Sequence, residues 1–219
     1  ASMPIGAYSE KQIMPEEKLV SVPDGISDEV ASCITLKGIT AEYLLHRAYP
    51  LKKGDKVLYH AAAGGLGQIL CPWANAIGAE VIGTVGSKAK EEIAKKNGCH
   101  HVINYSEKNF VEEVEKIVGK NGIDVVYDGV GLKTFKGSIA SLKIRGMMVA
   151  FGNASGYVDT IDVKKDINAK GLFFTRPSIA HYTITREELV ESAKKVFDAV
   201  LSGKFKVDIS EKYSLKDAA

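Results

Sequence analysis

The chain has 219 residues, 45% of them hydrophobic, and its 29 basic and 27 acidic side chains leave a net charge of +2. This composition supplies the core of one large domain and lacks the basic excess of nucleic-acid-binding proteins. No apolar run approaches the roughly 20 residues that span a bilayer, and no signal peptide is visible. We therefore expect neither nucleic acid nor a membrane as a partner.

The three cysteines, Cys33, Cys71 and Cys99, lie far apart in the sequence, and none forms a C-x-x-C pair. This spacing offers no zinc site, and the adjacent His100 and His101 would point to opposite faces of a strand. We therefore expect no metal. An odd, scattered set of cysteines is typical of a reducing compartment, which predicts a cytoplasmic protein.

The amino-terminal part contains two short strand-like pieces, AYSEKQIM and KLVSV, interrupted by prolines. A helix is predicted from about Asp28 to Tyr49, with Ser27 as its N-cap and Pro50 just beyond its end.

The most informative segment runs from Val57 to Gly78: a short apolar strand, a loop of small residues and an amphipathic helix. Its loop matches G-x-G-x-x-G except that Ala62 replaces the first glycine. Gly64 and Gly65 lack a Cβ, so the backbone can turn tightly and a diphosphate can approach it. Gly67 allows close packing of the helix, whose amino terminus favours phosphate. We predict dinucleotide binding; the alternative is a tight turn without a ligand.

Strands and helices alternate after this point, as in a parallel sheet covered on both faces. The predicted strands are Lys56–Tyr59, Glu80–Val85, His101–Asn104, Ile123–Tyr127, Gly146–Phe151 and Gly171–Thr175. The predicted helices are Gly65–Ile77, Lys88–Lys96, Lys108–Val118, Thr134–Leu142 and Arg186–Leu201. This rhythm predicts an α/β fold, a doubly wound Rossmann sheet of six parallel strands in the order 3-2-1-4-5-6.

The segment after the second strand, TVGSKAK, indicates which dinucleotide is preferred. An acidic residue there would bind the 2′-hydroxyl of NADH, but no carboxylate occurs before Glu91. A hydroxyl and ammonium groups suit the 2′-phosphate of NADPH instead. Lys88 and Lys90 are the candidate ammonium groups, and the alternative is that they are ordinary solvated charges.

Several phrases occur in a shared order: LKGITAEYLL, HAAAGGLG, GTVGSKAK, VINY, VVYDGVG, FGNASG and RPS. Together they resemble the zinc-free quinone oxidoreductase branch of the medium-chain dehydrogenase/reductase superfamily, the zeta-crystallin-like NADPH:quinone reductases. The resemblance selects Lys90 for the phosphate and gives Tyr105 a place beside the adenosine phosphate. The implied cofactor-binding residues are Thr40, Ala63, Gly64, Gly65, Leu66, Gly67, Gly86, Ser87, Lys90, Tyr105, Val130, Phe151, Gly152 and Asn153.

Other residues favour structural roles. Tyr105 could instead be an edge-strand aromatic that packs on a helix. Asp128 is interpreted as ordering its loop, and His60 either lines the cleft or packs the loop. Ser, His and Asp are all present, but no G-x-S-x-G elbow supports a hydrolase.

The resemblance also implies a domain organisation. Residues 1–26 would be a remnant of a GroES-like catalytic β domain, and residues 27–205 an NADPH-binding domain that includes the interdomain helix. Residues 206–219 would begin the segment returning to the catalytic domain, with KYSLKDAA starting a helix. The catalytic residues are therefore unassigned, and the fragment alone is expected to be inactive.

The expected reaction is hydride transfer from NADPH to a quinone or conjugated carbonyl. Reduction of an enone or enoyl double bond is one alternative, and a nucleotide-binding module without catalysis is another. The sixth strand, within GLFFTRPS, is expected to be an open sheet edge through which a homodimer forms.

Overall fold

The computed structural model describes residues 6–217. Six strands are present: β1 (Lys56–His60), β2 (Glu80–Val85), β3 (His101–Asn104), β4 (Ile123–Asp128), β5 (Leu142–Ala150) and β6 (Phe173–Thr175). The α-helices are α1 (Asp28–Tyr43), α2 (Gly67–Ile77), α3 (Lys88–Lys96), α4 (Phe110–Val118), α5 (Phe135–Ser141) and α6 (Arg186–Leu201). No helix in this part of the chain is long and apolar enough to cross a membrane.

All strand pairs are parallel, and the order β3-β2-β1-β4-β5-β6 confirms the predicted Rossmann sheet. Alternate residues of each strand enter two separate cores. In β1, Val57 and Tyr59 pack in the core that includes α1, α2 and α6. Leu58 points to the opposite face, where Val114 of α4 and Ile139 of α5 cover it. The chain therefore forms three layers, with the sheet in the middle.

Several predicted elements differ from the structure. The two amino-terminal pieces form no strand within the described residues, where Glu16–Lys18 is a 3-10 turn and Ile13 is 99% exposed. A strand needs a neighbouring strand to satisfy its backbone groups, whereas here the Glu17 and Leu19 carbonyls accept from the Arg186 side chain. At the other end, Leu215–Asp217 is a single 3-10 turn. Residues 1–5 of the predicted remnant 1–26, and residues 218–219 of the helix predicted for KYSLKDAA, lie outside the described residues.

The predicted helix from Asp28 to Tyr49 is also interrupted. Ser27 does cap it by accepting from the Val30 N–H, but α1 ends at Tyr43 and a π turn, Leu44–Ala48, follows. Within that turn, the Leu44 carbonyl accepts from the Tyr49 N–H and from the buried Tyr127 hydroxyl, the latter at 3.0 Å. A tertiary contact from β4 thus accompanies the change in helix pitch.

The loop after β1 turns at an alanine rather than at a glycine. Ala61 has φ of +63°, the left-handed region, whereas Gly64 and Gly65 have ordinary negative φ values. Of the two glycines, Gly64 closes this turn, because its N–H donates to the Ala61 carbonyl oxygen at 2.8 Å and a Cβ on it would lie 3.1 Å from that oxygen. Their lack of a Cβ matters for space, because a Cβ on Gly65 would lie 2.6 Å from the Lys37 ammonium nitrogen.

We expect Ala61→Gly to leave the free energy of unfolding unchanged or to raise it by up to about 1.5 kcal/mol. It relieves a left-handed alanine that costs about 1–2 kcal/mol and adds the chain entropy of glycine, about 0.5–1 kcal/mol. The matched Ala63→Gly relieves no strain, adds the same entropy and removes a half-buried methyl group, so it should destabilise by at least about 0.5–1 kcal/mol. Urea unfolding of both variants measures the difference; equal losses would contradict the strain at Ala61.

Candidate active site

The segments singled out in the sequence meet at one edge of the sheet. Parallel strands release their following loops at a common carboxyl edge, and β1 and β4 lie side by side where the chain order reverses. The loops after β1, β2, β3, β4 and β5 all leave from this edge. It carries every predicted cofactor-binding residue except Thr40 of α1.

The glycine loop, residues 61–67, is packed against its neighbours with almost no space for side chains. A Cβ on Gly67 would lie 2.3 Å from the Ala62 carbonyl oxygen, so only glycine allows α2 to start this close. Gly83 of β2 similarly receives the Ala62 methyl group. The predicted Ala63 and Leu66 are half-buried, and Gly64 and Gly65 are exposed at the start of α2. The loop therefore presents backbone, as a phosphate site requires.

Helix α1 forms one side of this loop. The Lys37 side chain lies against Gly65, and Thr40, one turn further along, donates its hydroxyl hydrogen to the Leu36 carbonyl at 2.8 Å. Thr40 is among the residues predicted from the sequence, whereas Lys37 is not. Their i, i+3 spacing, which puts both on one helix face, is the signal that could have found it.

The loops after β2 and β3 contact one another beside the start of α3. The Tyr105 ring covers Gly86, where a Cβ would lie 2.6 Å from the phenol oxygen, and Ser106 donates to the Gly86 carbonyl at 2.9 Å. Ser87 is the N-cap residue of α3, but its side chain makes no capping hydrogen bond. Its hydroxyl is thus available at a helix amino terminus.

The two candidate lysines are on the first turn of α3, and both are exposed. The nearest carboxylate in sequence, Glu91, accepts a hydrogen bond from the Asn104 side chain at 3.1 Å. Asn104 therefore holds the first acidic group of this segment, and the lysine charges dominate the exposed side of the turn.

The loops after β4 and β5 form the opposite wall and interlock through their backbones. A Cβ on Gly152 would lie 2.4 Å from the Gly129 carbonyl oxygen. The Val130 carbonyl accepts from both the N–H and the hydroxyl of Ser155, each at 2.8 Å. Phe151 stacks on Tyr59 of β1 with ring centroids 6.2 Å apart. Phe151, Gly152 and Asn153 are half-buried at the sheet edge, as Val130 is.

The carboxylate of Asp128 fixes the backbone at the base of this wall. One oxygen of its buried carboxylate accepts from the Val130 and Gly131 N–H groups at 2.8 and 2.9 Å, and Thr134 also donates to the carboxylate. The other oxygen accepts from Ser138, at 2.9 Å. These contacts agree with the structural interpretation of Asp128.

His60 joins the same network. Its Nδ1 lies 2.9 Å from the Thr84 hydroxyl and its Nε2 lies 2.9 Å from the Ser138 hydroxyl. The serine stands between the histidine and the aspartate, and all three are buried, so the set is not a hydrolase triad. His60 is therefore buried rather than lining the cleft, and its ring contacts lie in β2 and α5.

Two cysteines that are distant in sequence lie together in the core. The thiols of Cys71 and Cys99 form a hydrogen bond, which together with burial raises the pKa of Cys71 well above its usual value. All three cysteines are free thiols. Among residues 6–217, no group of three or more His, Cys, Asp or Glu side chains is arranged to hold a metal ion.

The chain is similar in sequence to known proteins. Residues 65–201 match the family described as zinc-binding dehydrogenase. The chain belongs to the zinc-binding dehydrogenase family. It is 48% identical over 219 residues to a 2-haloacrylate reductase of a Burkholderia species, covering 99% of this chain and 66% of that protein. It is 45% identical over 221 residues to quinone oxidoreductase 1 of Escherichia coli K12, covering 100% and 67%.

The chain thus spans about two thirds of the length of these relatives. A crystal structure of a 2-haloacrylate reductase superposes with a TM-score of 0.95 at 46% identity, covering 100% of this chain and 69% of that chain. An E. coli quinone oxidoreductase complexed with NADPH gives 0.85 at 47% identity, covering 90% and 61%. The resemblance to the quinone oxidoreductase branch is confirmed.

The buried His60 predicts a pH dependence of stability. Burial lowers its pKa below the usual 6.5, although Asp128 opposes the shift. Below about pH 6.5, His60 binds a proton in the unfolded chain but stays neutral in the folded chain. The free energy of unfolding should therefore fall as the pH decreases below about 6.5. The slope contributed by one histidine is at most about 1.4 kcal/mol per pH unit.

Urea unfolding between pH 8 and pH 5 measures this slope. His60→Gln should reduce it, and the half-buried His46, whose pKa burial also lowers, should account for the remainder. A wild-type curve that stays flat over this range would contradict the neutral, buried state of His60.

Proposed function

We propose that the protein reduces a quinone or another conjugated carbonyl with NADPH, and that this chain supplies the cofactor-binding half of the site. The observation that carries the proposal is the carboxyl edge of the sheet, where the glycine loop, the lysine-bearing turn and the 151–153 segment face one cleft. The names and the NADPH complex of the relatives support the same conclusion. Residues 27–205 would form the cofactor-binding domain, between a remnant at 1–26 and a returning segment at 206–219.

The residues present fit a phosphorylated dinucleotide. The space beside Gly65 is occupied by the flexible side chain of Lys37, and it adjoins the amino terminus of α2. Ser87 offers a hydroxyl without a capping bond, and Lys90 lies one turn further on. The Tyr105 ring over Gly86 provides an apolar surface for the adenosine. Together these groups match a diphosphate and a 2′-phosphate separated by a nucleoside.

The cofactor, when bound, supplies the hydride, and the chain positions and shields it. In this proposal, Lys37 and the backbone of the glycine loop bind the diphosphate. Val130, Phe151, Gly152 and Asn153 hold the nicotinamide half against the interlocked wall. The hydrogen bonds between the 129–131 and 151–156 segments keep this wall rigid before binding, which reduces the entropy cost of ordering. The proposal also includes that the protein needs no zinc and that it lies in the cytoplasm. The three free thiols support both parts.

The role of Lys90 is tested by cofactor titration. We expect Lys90→Met to raise the dissociation constant for NADPH about tenfold and to leave that for NADH nearly unchanged, because only NADPH carries the 2′-phosphate. Lys95→Met, at the far end of α3, is the control and should affect neither. Wild-type binding that is equal for both cofactors, or tighter for NADH, would contradict the assignment. A loss confined to Lys88→Met would move the role to Lys88.

The reaction is tested with the protein in its full natural length. We expect NADPH oxidation to depend on an added quinone, followed by absorbance at the NADPH band. The second candidate, reduction of a conjugated carbon–carbon double bond, is favoured by the similarity to 2-haloacrylate reductase. Turnover of an enone with none of a quinone would replace the first candidate with the second. Tight NADPH binding without turnover of either would support a nucleotide-binding module.

The homodimer is proposed from the edge of the sheet. β6 is the terminal strand, and its Phe173 and Phe174 are 58% and 36% exposed. An apolar edge strand favours pairing with a second copy. Light scattering should give about twice the chain mass of 23.6 kDa, and Phe173→Lys should give a monomer. A monomeric wild type would refute the proposal.

A further inference from the structure

The contacts of the buried polar chain from Thr84 to Asp128 favour one arrangement of protons. The Ser138 hydroxyl lies 2.9 Å from each of an Asp128 carboxylate oxygen, the Thr134 carbonyl oxygen and His60 Nε2. The carboxylate is the strongest of the three acceptors within reach, so we assign the single serine proton to the contact with Asp128. The remaining contact with Ser138 must then be a donation from His60 Nε2–H.

The other side of the ring follows from neutrality. Because burial keeps the His60 pKa low, the ring carries one N–H, and Nδ1 is an acceptor. The Thr84 hydroxyl therefore donates to it. The hydrogen bonds run in one direction, from Thr84 through His60 and Ser138 to Asp128, and each one polarises the next. Phe110 of α4 closes the ring from outside, edge to face with centroids 5.0 Å apart.

The two ends of this chain hold the two sides of the cleft. At one end, the Thr84 carbonyl accepts from the Ala62 N–H at 3.0 Å, and His60 directly precedes the left-handed Ala61 that starts the glycine loop. At the other end, Asp128 accepts from the Val130 and Gly131 amides. His60 and Ser138 are 78 residues apart in sequence and supply the side-chain link between these ends.

We propose that His60, protonated at Nε2, is a positioning residue that sets the separation between the glycine loop and the 129–131 segment. The inference rests on the proposed function, because these are the two sides of the proposed NADPH cleft. His60 does not touch the cofactor in this arrangement. It acts through Ser138 and Asp128 on the backbone of Val130, and through Thr84 on the backbone of Ala62.

Three variants separate the links. His60→Gln keeps a side-chain N–H that can reach Ser138, His60→Leu removes both ring nitrogens at similar volume, and Ser138→Ala cuts the chain in its middle. Ile139→Val, next to Ser138 in α5, reduces core packing and leaves every polar link in place. Thermal unfolding of the 219-residue chain verifies that each variant is folded.

Two readouts do not need the cofactor. Long-range ¹H–¹⁵N correlation spectra of the wild type should show His60 with a protonated Nε2 and an unprotonated Nδ1. Amide hydrogen exchange at Val130 and Gly131 should accelerate in His60→Leu and Ser138→Ala and stay near the wild-type rate in His60→Gln and Ile139→Val. A proton on Nδ1, or exchange that these substitutions leave unchanged, would overturn the inference.

The third readout is the dissociation constant for NADPH. We expect His60→Leu and Ser138→Ala to raise it about tenfold, and His60→Gln and Ile139→Val to stay within about twofold. If the wild type binds NADPH and all variants bind it equally well, the inference about His60 is overturned while the proposed function stands. A wild type that fails to bind NADPH would overturn the proposed function, and the spectra and exchange rates would still decide whether His60 positions the two segments.

Discussion

The parallel pairing of β1 with both β2 and β4 is the constraint on which the rest of the structure depends. Tyr59 of β1 lies opposite Gly83 on one side and Tyr127 on the other, so the three strands end at nearly the same level. Their loops must leave the sheet side by side. The chain after β1 has to turn away at once, and the left-handed Ala61 achieves this. Backbone pairing thus decides at which edge of the sheet the cleft lies, and side chains then set the distance between its two sides.

The loops at this edge can lie close together because glycines at the contact points have no side chains. Gly67 and Gly83 allow the first loop to lie against α2 and β2, and Gly129 and Gly152 allow the later loops to interlock. Each close approach brings backbone toward the cleft with no side chain in front of it, and at the first loop this backbone includes the first turn of α2, whose amides have no partners within the helix. Such a surface is suited to anions and flat rings, because it offers donors at fixed positions with little entropy left to lose.

A satisfied polar chain runs from β2 over β1 to β4 on one face of the sheet, where the remaining core is apolar. A buried imidazole or carboxylate is costly unless each of its polar atoms has a partner, and His60, Ser138 and Asp128 supply partners to one another. Apolar packing alone tolerates small shifts between layers, whereas directional hydrogen bonds do not. The network therefore specifies the relation between two loops that the sheet only brings close.

The sequence by itself determined the kinds of elements, their order and the edge that carries the site, since periodicity, caps and glycine loops are properties of a few neighbouring residues. The bounds of β2, α3, β3 and α6 agree with prediction. Only the tertiary structure decided the left-handed Ala61, the approach of Lys37 to Gly65, the contact of Cys71 with Cys99 and the link from His60 to Ser138. Most of these contacts join residues distant in sequence, and the sheet register that brings them together is set by the whole fold.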